Sequence, residues 1–349
     1  MNILSLGKWF KQYSLTYCFD CRKLVHPNHQ AKREGHRVVS FGWRKDPRDP
    51  RDLLWRRLFK VPRILPERVD LRDRAGPVRN QLNEGSCVGF AAMALKNWWE
   101  KAQKDYPGKQ GGISPRCCYN GAKWIGGYLS QEGAYLRDAL KFLKKYGTCT
   151  EAEWPYVPVA DRTVSPLDRV KPEQLEPWKI LSYVRLGSVD EVLHALASES
   201  PVFIGTPWFR NWLNVGRDGK LPPADGKVVG GHATLLLGYD MKEHRFIGQN
   251  SWGTQWGDRG FYYMLMSDVE GYFAESDFWT VVDLEPSPPG PQPKPDSKIC
   301  EYVETAQKWL NMLHQAICES YSQARYTWWF QLGDYAPFSG RWGKRGPGK

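Results

Sequence analysis

The chain has 349 residues, of which 41% are hydrophobic and 25% charged, with a formal net charge of +11. This length buries a sizeable core, and the balance of side chains excludes a disordered chain, a collagen-like repeat and a disulfide-stapled mini-protein. No apolar run approaches the roughly 20 residues of a membrane-spanning helix, and the N-terminus lacks the apolar stretch and small-residue cleavage site of a secretory signal, so a cytoplasmic protein is expected.

Residues 1–39 carry no clear periodicity and read as an N-terminal extension of unknown structure. Cys18, Cys21, His26 and His29 have zinc-type chemistry, but their spacing is too tight for a common finger, and no metal site is expected. Residues 40–66 are crowded with Arg, Asp and Pro and read as a basic, extended leader arm. From 67 to 284 the pattern is globular. Val88, Ala91, Ala92, Leu95 and Trp99 form one helical stripe, and Leu136, Ala139, Leu140 and Leu143 a second, stopped by Gly147. Ser188, with Glu191 three residues on, announces a third helix through a capping box. After residue 200 come the β-rich runs PVFIGTPW, HATLLLGYD, RFIGQNSW, GFYYMLM and FWTVVDL. A helical half followed by a strand half predicts an α+β fold.

Residues 285–297 are a Pro-rich linker. Ile299, Val303, Ala306, Leu310, Leu313 and Ile317 then mark one amphipathic helix over 298–323, which needs a partner to pack against. The tail 324–349 interleaves Trp328, Trp329, Phe330, Tyr335 and Trp342 with basic residues; partner docking or disorder explains it better than nucleic-acid or membrane binding. Eight cysteines, with Cys117 adjacent to Cys118, do not suggest a disulfide framework, and reduced thiols are expected.

Three residues carry the chemistry. Cys87 falls in the first turn of the first helix, where unpaired backbone N–H groups and the helix dipole favour a thiolate and lower the thiol pKa. His232 opens one strand-like run and Asn250 closes the next. A hairpin turning at Met241 sets the two opposite each other, so the amide oxygen can take the imidazole N–H and leave the other ring nitrogen for the thiol. That is a nucleophile, a base and an orienter.

The segments GSCVGFAA, GGHATLLLGYD and QNSWGTQWGDRGFYY resemble the motifs of the papain-like cysteine proteases, peptidase C1, over about residues 67–284. The GGHA form and the helix-to-EWPY passage resemble the bacterial and archaeal branch. The resemblance implies a papain-like fold, with a helical subdomain, an antiparallel β-barrel-like subdomain and the active-site cleft between them. It implies a cysteine endopeptidase working through a thioacyl-enzyme, without cofactor, on a peptide or protein substrate, as a monomer. It also suggests roles: Gln81 joins the Cys87 N–H as oxyanion donor, and Trp252 shields the Asn–His bond. Trp256 would line the leaving-group side, Ala233 the pocket for the second residue before the cut, and Gly133 a glycine strip pairing with substrate backbone. Three positions depart from the family pattern: Val88 replaces a tryptophan, Glu84 a half-cystine, and Glu132 the second glycine-strip residue. They leave specificity unread. No inhibitory prosegment of the usual length is visible, although GWRKDPRDPRD is similar to the leader of microbial relatives, so latency is open. The alternatives are a transpeptidase or other acyltransferase using the same thioester, and a non-catalytic peptide-binding protein, against which the full Cys, His, Asn and Gln set argues.

Overall fold

The computed structural model describes residues 16–18, 23–25, 38–59, 64–103 and 105–282. Cys21, His26 and His29, the linker, the 298–323 helix and the basic aromatic tail lie outside the described residues, and the chain divides between Glu285 and Pro286. Among the described residues no helix is long and apolar enough to cross a membrane.

Strands β1 (Thr16–Cys18), β2 (Lys23–Val25) and β3 (Val38–Ser40) form a small antiparallel sheet in the order β2-β1-β3. β4 (Trp43–Arg44) and a single helical turn, α1 (Trp55–Leu58), follow in the segment expected to be an extended arm. That segment is docked on the domain. Trp43 and Trp55 are 5% and 4% exposed, and Trp55 stacks on Phe59 with ring centroids 3.9 Å apart. Charge and proline content argued for an arm, but two indoles supply enough apolar surface to hold it down.

After β5 (Arg68–Asp70) the helical half begins with α2 (Cys87–Gln103), followed by α3 (Pro115–Ile125). Ser114 caps α3 by accepting the Cys117 N–H at 3.1 Å, and Pro115 occupies the position where an N–H would go unpaired. The two helices meet closely because position 89 is glycine: a Cβ there would lie 2.5 Å from the Tyr119 side chain. β6 (Ala134–Tyr135) leads into α4 (Leu136–Lys145), which Gly147 ends at φ +90°.

The short helices α5 (Pro166–Arg169) and α6 (Pro172–Leu175) and strand β7 (Ser182–Arg185) lead to α7 (Val189–Ala197). Its cap differs slightly from the expected box: Ser188 accepts the Glu191 N–H, but the Glu191 carboxylate turns back to the Gly187 N–H at 2.6 Å. The strand half comprises β8 (Val202–Phe209), β9 (Val228–Asp240), β10 (Arg245–Gln249), β11 (Phe261–Leu265) and β12 (Asp277–Val282), with α8 (Met266–Gly271) before the last. They join one antiparallel sheet, β11-β10-β9-β8-β12-β7, with β5 added beside β9. Helix α2 lies against β8 and β9, whose central residues are buried on both faces.

Candidate active site

The Phe90 N–H donates to the Ser86 carbonyl, so Ser86 caps α2 and Cys87 is its first residue. The expected thiolate-favouring position is therefore occupied, but the thiol is not acidic: burial pushes it up to about 11, against the pull of the Ala233, Gly42, Val88 and Trp43 N–H groups around the sulfur. Burial wins because Gly42 and Trp43, from the docked leader, replace the water that would solvate a thiolate.

His232 and Asn250 meet, although not through the expected register. Gln249 pairs with Leu235, where a turn at Met241 would have set it opposite Ala233. The shift is three residues over 245–247 and two at Gly248 and Gln249, after a bulge between Ile247 and Gly248, and the even shift beside Asn250 keeps that residue on the face of His232. His232 Nε2 lies 2.8 Å from Asn250 Oδ1, and that same oxygen accepts the Ser251 N–H at 2.7 Å. A backbone N–H can only donate, so the atom facing it is the amide oxygen, and Nε2 must carry the imidazole proton. Nδ1 then holds the lone pair; it is buried and has no hydrogen-bond partner among the described residues. Burial lowers the His232 pKa to about 4, with the Asn250 hydrogen bond acting in the opposite direction.

Gln81 is fully buried between these groups. Its Oε1 accepts the Ser251 hydroxyl at 2.6 Å, and its Nε2 donates to Glu84 O and to Ser40 O at 2.9 and 3.0 Å. Trp252 lies over His232 with centroids 4.7 Å apart and planes at 30°. Trp256 stands edge-on behind Trp252 at 5.2 Å and donates to Leu213 O, so it supports Trp252 from within the core. Sequence reasoning missed Trp208, whose ring meets His232 at 4.9 Å and Trp252 at 5.4 Å, and Ser251, which fixes both Asn250 and Gln81. The adjacency of Ser251 to Asn250 was an available signal; nothing local marks Trp208.

The leader runs through the cleft between the two halves. Phe41 packs edge-on against His232 and Trp252, both at 5.9 Å. Gly42 donates to Gly231 O and accepts from the Ala134 N–H at 2.8 Å, while β4 pairs in parallel with β6, Trp43 opposite Ala134. Gly133, the expected strip residue, takes φ +76°, and a Cβ there would lie 2.6 Å from Gly42 O. Ala233 is fully buried and directs its N–H at the Cys87 sulfur. Beyond Trp43 the leader is anchored by Asp46, which accepts from Arg137 N and from Trp279 Nε1 at 2.8 Å, while its own N–H donates to Asp277. Burial, then the Asp277 charge, push the Asp46 carboxyl up to about 8, against the opposing pull of Arg137. Arg185 pairs with Asp277 at 2.6 Å and with Asp52, and Lys45 adds a further cation to this cluster.

Of the three departures from the family pattern, Val88 is simply core. Glu84 is fully buried and takes a bidentate pair from Arg116 at 2.7 and 2.6 Å, with the Tyr156 hydroxyl as a further donor. Arg162 lies 3.8 Å from Glu84 and 2.8 Å from Glu132, so an ionic chain ties the nucleophile loop to the strip loop. Among the described residues no group of three or more His, Cys, Asp or Glu is arranged to hold a metal ion.

The family model for "Papain family cysteine protease" matches residues 65–277. The chain is 27% identical to xylellain, a cysteine protease from Xylella fastidiosa, whose structure it matches with a TM-score of 0.59 over 70% of this chain and 96% of that one. An uncharacterized peptidase C1-like protein of Acanthamoeba polyphaga mimivirus is 24% identical over 273 residues, covering 70% of this chain and 87% of the relative. The oryzain gamma chain of Oryza sativa subsp. japonica is 28% identical over 58% of this chain, and the match spans 56% of the relative's own length. With the family matched over more than half of its length and a papain-like arrangement of helices and antiparallel sheet, the chain belongs to the papain family of cysteine proteases, hydrolases that act on peptide bonds.

Proposed function

We propose that the peptidase domain, residues 67–284, cleaves peptide bonds with Cys87 as nucleophile, His232 as base, Asn250 as its orienter and Gln81 as oxyanion donor. The observation that carries this reading is the tautomer. Because Asn250 Oδ1 faces two donors, the lone pair of His232 is confined to Nδ1. In turnover the Cys87 proton passes to Nδ1 as sulfur bonds to the substrate carbonyl carbon. The oxyanion is held by Gln81 Nε2 and the Cys87 N–H; Gln81 already holds a carbonyl oxygen, that of Ser40, in this way. Collapse breaks the C–N bond, and His232 protonates the departing amine. Water, deprotonated by His232, then opens the thioester and regenerates the thiol. Similarity to the Xylella enzyme supports the bacterial branch.

The conformation described is the latent one. Phe41 lies beside Trp252, Gly42 at the sulfur and Trp43 against Gly205, the strand partner of Ala233, whose pocket the resemblance puts on the acyl side, so the leader runs from the leaving-group side toward the acyl side. A substrate must run the other way, and the leader therefore fills the cleft without presenting a scissile bond. A peptidyl epoxide is expected to label the full chain at Cys87 slowly and Cys87→Ala not at all; labelling that persists in Cys87→Ala would falsify the assignment.

A further inference from the structure

Gly205 lies on β8, opposite Ala233 of β9 on one side and Asp277 of β12 on the other. The atoms nearest its open side belong to Trp43. A Cβ at Gly205 would lie 2.1 Å from Trp43 Nε1, 2.4 Å from Cδ1 and 2.5 Å from Cε2, with all three of its nearest atoms in that indole. A Cβ at Gly231 would likewise meet Trp43 first, at 2.6 Å from its carbonyl oxygen and 2.7 Å from Cε3. Ala134, opposite Trp43 in the β4–β6 pairing, and Ala233 complete a wall of small side chains. Trp43 is 5% exposed, yet its Nε1 has no hydrogen-bond partner among the described residues. The indole is thus held by shape alone.

A leader that only had to block the cleft could do so with any apolar side chain. The volume taken by the indole belongs to the permanent domain, where glycine stands at both positions that would otherwise fill it. We propose that this pocket selects a bulky aromatic, indole-sized side chain at the second residue before the scissile bond, and that Gly205 and Gly231 set that size. The inference rests on the peptidase reading above. A methyl group at Gly205 would lie 2.1–2.5 Å from atoms of the indole five-membered ring and so exclude it.

The test uses the full chain carrying Trp43→Ala, which vacates the pocket. It takes a series of fluorogenic peptides with Arg before the cut and Trp, Phe, Val or Ala before that. Active centres are counted by epoxide titration of Cys87, so a poorly folded variant does not distort the comparison. The Trp peptide is expected to exceed the Val and Ala peptides by about tenfold or more in kcat/KM, and a further Gly205→Ala change to erase that preference, since single methyl groups discriminate on this scale in apolar pockets. Turnover with Val or Ala equal to or above Trp overturns this inference and leaves the peptidase reading standing. If Gly205→Ala does not fold, the preference order in Trp43→Ala alone decides. Epoxide labelling with no turnover of any peptide overturns both.

Discussion

Replacing Trp43 by alanine tests whether the leader governs access to Cys87. Trp43 is 5% exposed, and its indole fills the space in front of Gly205 and Gly231. Truncating a buried tryptophan to alanine costs about 3–5 kcal/mol. The Asp46 anchor and the Gly42 backbone hydrogen bonds are untouched by the change, and the packing lost lies between leader and domain, so the cost falls on docking. At about 1.36 kcal/mol per factor of ten, the fraction of open cleft should rise by roughly two to nearly four orders of magnitude, saturating at the fully open enzyme. The readout is the second-order rate at which a peptidyl epoxide labels Cys87 in the full chain at neutral pH. The double variant Phe41→Ala/Trp43→Ala supplies the open limit. If wild type, Trp43→Ala and the double variant all label at the same rate, the leader does not gate the site and the latency argument is wrong.

Two further outcomes follow from buried charge. The raised Asp46 pKa means the docked leader keeps a proton that the released leader gives up near the ordinary value of about 4; this contribution to docking is complete below that value and is lost as pH rises to about 8. The His232 contribution runs the other way, present above its ordinary value of about 6.5 and lost as pH falls through about 4, so between about 6.5 and 8 Asp46 dominates and the labelling rate of wild type relative to Asp46→Asn should climb by up to about tenfold per pH unit. A pH-independent ratio would show that Asp46 is not the group responsible. Separately, Glu84→Gln leaves Arg116, 1% exposed, without its carboxylate. It should destabilise the domain by about 3–5 kcal/mol in thermal unfolding, with much of the loss recovered in Glu84→Gln/Arg116→Met; a change under about 1 kcal/mol in the single variant would show the pair to be dispensable.

The elements that could be read from the chain are those whose causes are local. The α2 stripe from Val88 to Trp99, the Gly147 stop and the five β-rich runs each carry their own periodicity, and each became an element near its expected bounds. The meeting of His232 with Asn250 survived a shifted register because the bulge at Ile247/Gly248 turns a three-residue shift into an even one beside Asn250; without it one of the two would face the opposite way. The docked leader was not legible. Its pocket is built from Gly205 and Gly231, more than 160 residues beyond Trp43, and a glycine in a strand does not reveal which ring it makes room for. The acidity of Cys87 was misjudged for the same reason: the helix start is written locally, but the residues that exclude water from it are not.

Burial by the leader also bears on the chemistry, beyond closing the door. With Cys87 pushed up to about 11 and His232 down to about 4, both are neutral at pH 7, and the proton stays on sulfur. Neither shift comes from a charged neighbour; in both, burial is the leading cause, and the hydrogen bonds to Cys87 and His232 act against it. Withdrawing Gly42, Trp43 and Phe41 readmits water but leaves the Ala233 and Val88 N–H groups, the helix start and the Asn250 oxygen in place, and all four favour the charged pair. On the proposed mechanism, release of one segment would therefore open the cleft and shift the thiol and imidazole toward their working protonation states in a single step. The catalytic framework needs no rearrangement, because Ser251 holds Asn250 and Gln81 from within the domain whether or not the leader is present.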